Sequence, residues 1–285
     1  MKIKLLSIVI PVYNEERSID ETIKQIRKVM ASTSVTYEII AVNDGSEDKS
    51  KEILDNVKNI NVVHNAYNLG YGASLKRGIL ASKGDWILIT DADGTYPLED
   101  IPKLLSYDNY DMVVGARTGK SVKTPFLRKP AKFIIGTFAN LIVGQRIPDV
   151  NSGFRVFRKE IAMRFFNLFP QGFSFTITIT LACLTNAYLV KYVPINYLSR
   201  TGKSSIHPIK DFIGFMILIL RMATLFKPVM VFSTISALLF AASVSVFLYS
   251  FFVLQRLLDL TVLILFLGSL QIFLYGLLAE VIKNR

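Results

Sequence analysis

Cysteine and histidine are almost missing from this chain. Among 285 residues there is one cysteine, Cys183, and there are two histidines, His64 and His207. A single thiol excludes an internal disulfide framework and any multi-cysteine zinc site. Two imidazoles leave little for a histidine-built metal centre. Acidic side chains are outnumbered, 22 Asp plus Glu against 33 Lys plus Arg, a net charge of +11. Apolar residues make up 51% and mean hydropathy is +0.40, too greasy for a disordered chain and rather greasy for a soluble one. No internal repeat or low-complexity tract is visible.

Charge is absent from two long stretches. Val229 to Leu254 is 26 residues without a charged side chain, and Leu260 to Ala279 is another 20. As helices rising ~1.5 Å per residue, each could cross about 30 Å of hydrocarbon; a pair of buried soluble helices is the other reading. Only Gln255-Arg256-Leu257-Leu258-Asp259 separates them, so they form a hairpin. Arg221 and Lys227 precede the first span and Lys283 and Arg285 follow the second, while Arg256 and Asp259 cancel in the loop. The positive-inside rule then predicts an integral membrane protein with both termini and the N-terminal region in the cytoplasm. Residues 207–228, with Phe212, Phe215, Met216, Ile219 and Leu220 at helical spacing, are expected to lie along the membrane surface or to form a short third span. The N-terminal run Leu5 to Val12 is too short for a signal peptide and lacks a cleavage site.

Residues 1–206 alternate strand and helix. The runs Ser7 to Val12, Tyr37 to Val42, Asn61 to His64, Asp85 to Thr90 and Asp111 to Val114 read as strands. Ile19, Ile23, Ile26 and Met30 mark one helix face, and Tyr71 to Ser82 is helical. The pattern predicts an α/β domain with a mostly parallel sheet covered on both faces, followed by the interfacial helix and the hairpin. Ligands of such sheets bind beyond the carboxyl ends of the strands. The clusters Tyr13-Asn14-Glu15, Asp44 and Asp91-Ala92-Asp93 fall there.

Two glycine-rich strings fail as nucleotide motifs. Gly115-Ala116-Arg117-Thr118-Gly119-Lys120-Ser121 has one residue too few between its glycines for a phosphate-cradling loop. Asn68-Leu69-Gly70-Tyr71-Gly72 carries Leu75 where a dinucleotide fingerprint has its third glycine. The sharpest feature is instead Asp91 with Asp93. Two carboxylates two residues apart at a strand end can point the same way and offer the hard oxygen ligands that Mg²⁺ or Mn²⁺ prefers beside a nucleotide diphosphate. A polar turn or helix cap is the alternative.

The ordered set Pro11-Val12-Tyr13-Asn14-Glu15, Asn43-Asp44-Gly45-Ser46, Asn68 to Gly72, Asp91-Ala92-Asp93, Gly115-Ala116-Arg117, Asp149-Val150-Asn151-Ser152-Gly153-Phe154-Arg155 and Arg200-Thr201-Gly202-Lys203-Ser204 resembles the family 2 glycosyltransferases of the GT-A fold. With the hairpin added, the chain is similar to the dolichol-phosphate mannose synthase branch, the polyprenyl-phosphate glycosyltransferases. The resemblance implies that Pro11, Tyr13, Glu15 and Asp44 frame a nucleotide-sugar donor and that Asp91 and Asp93 bind its metal–diphosphate. It implies that Arg117 contacts the acceptor phosphate and that Arg200 and Lys203 close over the donor. Thr95 stands where the mannose synthases tend to have a metal-side Gln, and Asp-Val-Asn-Ser-Gly replaces the more usual Asp-Pro-Met-Ser-Gly.

From Met112 to Pro148 there is no Asp or Glu, yet Arg117, Lys120, Lys123, Arg128, Lys129, Lys132 and Arg146 lie there beside Phe126, Phe133 and Phe138. Basic and apolar residues interleaved suit an anionic membrane surface and a lipid phosphate, with Arg117 and Arg128 as two-point clamps. Nucleic acid is disfavoured, since no recognition module is present; a homo-oligomer stays open. The expected reaction is an inverting transfer from GDP-mannose or a UDP-hexose to a polyprenyl phosphate. That nucleophile is mostly ionised near neutral pH, with a second pKa of ~6, so Asp149 would orient the acceptor or act as a weak base. Rival readings are a processive polysaccharide synthase, which would need a Gln-x-x-Arg-Trp motif although Trp86 is the only tryptophan, transfer to a lipid or glycan hydroxyl, and an inactive membrane scaffold.

Overall fold

A computed structural model describes residues 3–119, 136–137, 139–172, 174–198, 221, 223–255 and 259–283. Arg128, Arg200, Lys203 and most of the stretch expected on the membrane surface lie outside them. The chain divides into two compact units, Met1–Phe212 and Ile213–Arg285.

The first unit is built on a seven-stranded sheet. Its strands are β1 (Leu6–Val12), β2 (Tyr37–Asn43), β3 (Asn61–His64), β4 (Trp86–Ile89), β5 (Met112–Ala116), β6 (Arg155–Arg158) and β7 (Val190–Pro194). Their order across the sheet is β3-β2-β1-β4-β6-β5-β7. β6 runs antiparallel to both β4 and β5, and every other pair is parallel. β1, β4 and β5 are near-continuous apolar runs because both of their faces are covered. The helices are α1 (Ile19–Met30), α2 (Ser50–Asn56), α3 (Tyr71–Ala81), α4 (Ile101–Leu105), α5 (Lys159–Arg164) and α6 (Phe175–Thr185). Ile19, Ile23, Ile26 and Met30 are each at most 1% exposed, so the apolar face of α1 is the one against the core. Asp20 and Glu21 in its first turn and Arg27 and Lys28 in its last suit the helix dipole. α3 packs closely on the sheet at Gly78, where a Cβ would strike the Val9 side chain.

The strands expected from the sequence are found, with ends differing by a few residues; β6 and β7 were not anticipated. The inversion at β6 matters for the site. Arg155, its first residue, is opposite both Ile89 and Val114, near the carboxyl ends of β4 and β5. An antiparallel strand starts where its parallel neighbours stop. Residues 149–154 are thus delivered to the edge that also carries the segments following β1, β2, β4 and β5.

The second unit is a hairpin of α7 (Pro228–Phe252) and α8 (Asp259–Lys283), each long and apolar enough to cross a membrane. The helices approach closely at Gly276, where a Cβ would lie 2.7 Å from Cβ of Phe232. Hydroxyls tie them together: Ser236 Oγ donates to the Ser269 carbonyl at 2.7 Å and Ser243 Oγ to the Val262 carbonyl at 3.0 Å. α8 runs past Ala279 through Glu280 to Lys283, whose Nζ donates to the Phe226 carbonyl at 2.9 Å.

Candidate functional site

The loops after β1 and β2 are zipped together. Asn14 N donates to Ser46 Oγ at 3.1 Å, Glu15 N to Ser50 Oγ at 2.8 Å and Glu16 N to Asp48 Oδ2 at 3.0 Å. Asn14 takes a φ of +55°, a left-handed geometry that asparagine tolerates, and its Oδ1 accepts from Glu47 N at 2.9 Å. Pro11 is in β1, and Tyr13 follows with 38% of its surface exposed. Asp44 is placed differently. It is 3% exposed, and its oxygens accept from Asn65 Nδ2 at 2.6 Å, Leu69 N at 2.9 Å and Gly70 N at 2.9 Å. Its carboxylate therefore braces the turn into α3 from beneath the rim. Gly70, at φ +100°, and Gly72 let residues 170–172 press on that turn, with Ala73 N donating to the Gln171 carbonyl at 2.8 Å.

Asp91 and Asp93 follow β4. Thr22 Oγ1 on α1 donates to the Ala92 carbonyl between them at 3.1 Å. Asp93 is 6% exposed, and its Oδ1 accepts from Thr95 Oγ1 at 2.6 Å and Thr95 N at 3.2 Å. Asp91 Oδ1 accepts from Tyr71 Oη at 3.0 Å. Burial, reinforced by the Asp91 charge, holds the Tyr71 phenol well above its usual pKa, so it stays a neutral donor. Gly153 sits against this pair. Its N–H donates to Tyr96 Oη at 2.7 Å, and a Cβ there would come within 2.9 Å of Tyr71 Oη, 3.1 Å of Asp91 Oδ1 and 3.2 Å of Tyr96 Oη. Burial likewise raises the Tyr96 phenol.

Arg117 follows β5 and is clamped to Asp149 in two-point geometry. Nε reaches Oδ2 at 2.7 Å and Nη2 reaches Oδ1 at 2.9 Å, while the Arg117 backbone N–H also donates to Oδ2 at 3.0 Å. The side chain of Asp149 is 2% exposed and that of Arg117 19%. Burial works against the Arg117 charge, but the bonds to Asp149 outweigh it and the guanidinium is held above its usual pKa. Among the described residues Nη1 has no hydrogen-bond partner. The guanidinium lies 5.3 Å from the Tyr197 ring centroid, and Tyr197 packs edge-on against Tyr96 at 5.4 Å.

These contacts close into a circuit from Asp91 through Tyr71, Gly153, Tyr96, Tyr197 and Arg117 to Asp149. The 149–153 loop completes it, and Arg155 fixes that loop. Arg155 is fully buried and donates Nε to the Ser152 carbonyl at 2.9 Å, Nη1 to the Thr176 carbonyl at 3.0 Å and Nη1 to Thr180 Oγ1 at 2.8 Å. Burial lowers its pKa. Ser152 Oγ donates to the Gly115 carbonyl at 2.6 Å. Tyr96, Tyr197 and Thr22 were not singled out from sequence, and no local signal marks them. Gly153 and Arg155 lay inside a quoted motif, although the motif alone gave them no role.

The donor set of Asp91 and Asp93 is all oxygen. Carboxylate oxygens are the ligand type a hard divalent cation takes, and such an ion keeps further positions for phosphate oxygens. The two side chains fit such an ion. Gly94, at φ +70°, would have open space around a Cβ among the described residues.

Residues 7–166 match the family described as Glycosyl transferase family 2, and residues 227–284 match the one described as GtrB C-terminal hairpin. A dolichyl-phosphate hexose transferase of Haloferax volcanii is 30% identical over 206 residues, covering 71% of this chain and 87% of the relative. A dolichyl-phosphate beta-glucosyltransferase of Trichomonas vaginalis is 35% identical over 173 residues, covering 54% of this chain but only 53% of the relative. Glucosyl-3-phosphoglycerate synthase from Mycobacterium tuberculosis, solved with Mn²⁺, UDP and glucosyl-3-phosphoglycerate, shares the fold with a TM-score of 0.59 at 18% identity, over 77% of this chain and 79% of that one. The strand order, the acid pair at the rim and the match over residues 7–166 converge: the chain belongs to glycosyl transferase family 2, and it ends in a GtrB-type hairpin.

Proposed function

We propose that this chain transfers a hexose from a nucleotide-diphosphate sugar to a membrane polyprenyl phosphate, inverting the anomeric centre. The observation that carries the reading is the circuit joining Asp91 to the Arg117–Asp149 fork. One end is acidic and suits a metal–diphosphate; the other presents an arginine edge that suits a phosphate.

Pro11, Tyr13 and Glu15 are assigned to the donor, and Arg200 and Lys203 to the same ligand. Asp44 serves that end by holding the Leu69–Gly70 turn in place. Asp91 and Asp93 would hold Mg²⁺ or Mn²⁺, which when bound neutralises charge on the departing nucleoside diphosphate. Arg117 steers the acceptor phosphate with its Nη1 edge, and Arg128 is the second clamp. The attacking phosphate oxygen is already mostly ionised near neutral pH, so positioning and charge compensation supply most of the rate. Asp149 acts through Arg117, whose fork occupies both of its oxygens. A transfer to a hydroxyl would require a free base, which is why the phosphate acceptor is preferred. Lys227 and Lys283 at the open end of the hairpin support a catalytic unit and termini on the cytoplasmic face.

The test is transfer of labelled sugar by the purified full chain to polyprenyl phosphate and to the matching uncharged polyprenol. Transfer should need the phosphate and Mg²⁺ or Mn²⁺. Asp93→Asn should lower kcat by on the order of 10²–10³, and Arg117→Ala should raise the acceptor KM while leaving donor binding in place. Equal transfer to the polyprenol, or wild-type activity in Asp93→Asn, would overturn the reading.

A further inference from the structure

The loop that completes the circuit is buried almost throughout. From Asp149 to Phe157 every residue is buried except Asn151, which is exposed. The one side chain this run shows to solvent is thus an amide, and it stands at the rim. Two residues before it, Asp149 holds the Arg117 fork. Two residues after it, Gly153 lies against Asp91, where a Cβ would come within 3.1 Å of Oδ1. Two residues of chain span at most ~7 Å, so Asn151 lies close to the arginine fork on one side and to the acid pair on the other.

The amide is held from beneath. Thr176 Oγ1, in the first turn of α6, donates to Asn151 Oδ1, and Thr176 is 2% exposed. The Asn151 backbone N–H donates to Asp149 Oδ1 at 3.2 Å. Arg155 bolts both sides of the Thr176 contact. Its Nε takes the Ser152 carbonyl, next to Asn151, and its Nη1 takes the Thr176 carbonyl. An amide's oxygen and nitrogen point apart from one carbon, so engaging Oδ1 on a buried hydroxyl turns Nδ2 outward. Among the described residues Nδ2 has no hydrogen-bond partner. Water would satisfy an exposed asparagine without any of these contacts, and fixing the side chain costs it rotamer freedom.

We propose that Asn151 Nδ2 donates to one hydroxyl of the donor hexose and so helps to set which sugar is transferred. The assignment rests on the transfer to polyprenyl phosphate proposed above and names a contact that selects the sugar. Between a diphosphate on the acid pair and a phosphate on Arg117 lies the sugar ring that passes from one to the other. Phosphate oxygens draw on a cation or a guanidinium, whereas ring hydroxyls are neutral and are read by neutral polar groups such as an amide. An amide pinned in one orientation cannot turn to find a substitute, so a donor lacking that hydroxyl loses the bond outright. Thr176 is then a positioning residue: without its hydroxyl the amide can flip and offer oxygen in place of nitrogen.

The test is competition between a hexose donor and its monodeoxy analogues at C2, C3, C4 and C6, with the purified full chain and polyprenyl phosphate. The parent donor is whichever of UDP-glucose, UDP-galactose and GDP-mannose the wild type transfers best, and the ratio of products reads relative kcat/KM. In the wild type, loss of one particular hydroxyl should lower kcat/KM about tenfold. Asn151→Ala should bring that analogue to within about twofold of the parent and leave the ratios of the others as they were. Its melting temperature should hold, because the side chain is exposed. Differences in intrinsic reactivity among the analogues cancel between wild type and variant. Thr176→Val should shrink the same ratio and no other. Unchanged ratios in Asn151→Ala, or all of them shifting together, would overturn the proposal. So would a raised acceptor KM with the ratios intact, which would put the amide on the acceptor phosphate. Transfer to polyprenyl phosphate with those ratios unmoved counts against Asn151 alone. No transfer of any of the sugars by the wild type would sink the transfer itself, and this contact with it.

Discussion

The two units of this chain put apolar helices to opposite uses. α6 (Phe175–Thr185) has its residues through Cys183 buried, inside the sheet domain. α7 and α8 are just as apolar, yet Leu238 is 68%, Phe252 70% and Leu260 71% exposed. Composition does not separate the two cases; length and surroundings do. α6 spans 11 residues, too few to cross a bilayer, and its hydroxyls are turned to work. Thr176 Oγ1 bonds Asn151 Oδ1, and Thr180 Oγ1 takes up Arg155. The 25-residue helices of the hairpin are long enough for lipid and turn hydroxyls onto backbone carbonyls, Thr234 and Ser245 within their own helix and Ser236 and Ser243 across to the other. Burial by protein and burial by lipid thus impose different demands on the same side chains.

A pair of substitutions breaks the comparison most sharply. Leu54→Ala should destabilise the sheet unit by about 2–5 kcal/mol by opening a cavity, while leaving the chain in the membrane fraction. Leu238→Arg should do the reverse. It places a charge in the hydrocarbon at a cost of about 2.5–3.5 kcal/mol, lowering the fraction of chain that resists extraction from membranes with the melting temperature of the sheet unit unchanged. Thermal unfolding and carbonate extraction on both variants check this; the same readout moving in both would erase the distinction.

Gly153→Ala comes next. Its Cβ would press on Tyr71, Asp91 and Tyr96, and overpacking costs about 1–3 kcal/mol. Sugar transfer should fall by on the order of tenfold or more while membrane association is untouched, and donor titration should locate the loss at the acid pair. Cys183 sharpens the contrast chemically. Its thiol is buried and pushed up to about 12. A raised acid keeps its proton throughout the neutral range, so maleimide should label it at pH 7 only after unfolding. The smallest effect is expected at Ser236→Ala. Removing an interhelical hydroxyl bond should cost about 0.6 kcal/mol, read as a slight loss of hairpin protection in hydrogen exchange.

Much of the fold was legible because its signals are local. β1 to β5 are short apolar runs between turn residues, α1 shows its buried face at the helical period, and the hairpin announces itself by missing charge. The acid pair after β4 and Arg117 after β5 could be placed at one rim from those runs alone. β6 could not: its four residues begin and end with arginine, and Arg155 reads as a surface charge until it is found fully buried on backbone carbonyls. β7 carries Lys191 and ends on Pro194 without a clean alternation.

The sequence determined the materials: two lengths of apolar helix, a two-carboxylate turn, and a basic segment free of acid. Tertiary structure decided which of them meet. The antiparallel insertion of β6 brings Asp149 to Arg117 and Gly153 to Asp91, joining residues that lie 32 and 62 positions apart (149 − 117 and 153 − 91). Such contacts depend on strand order and on loop closure across the sheet, and neither leaves a mark in any short window of residues.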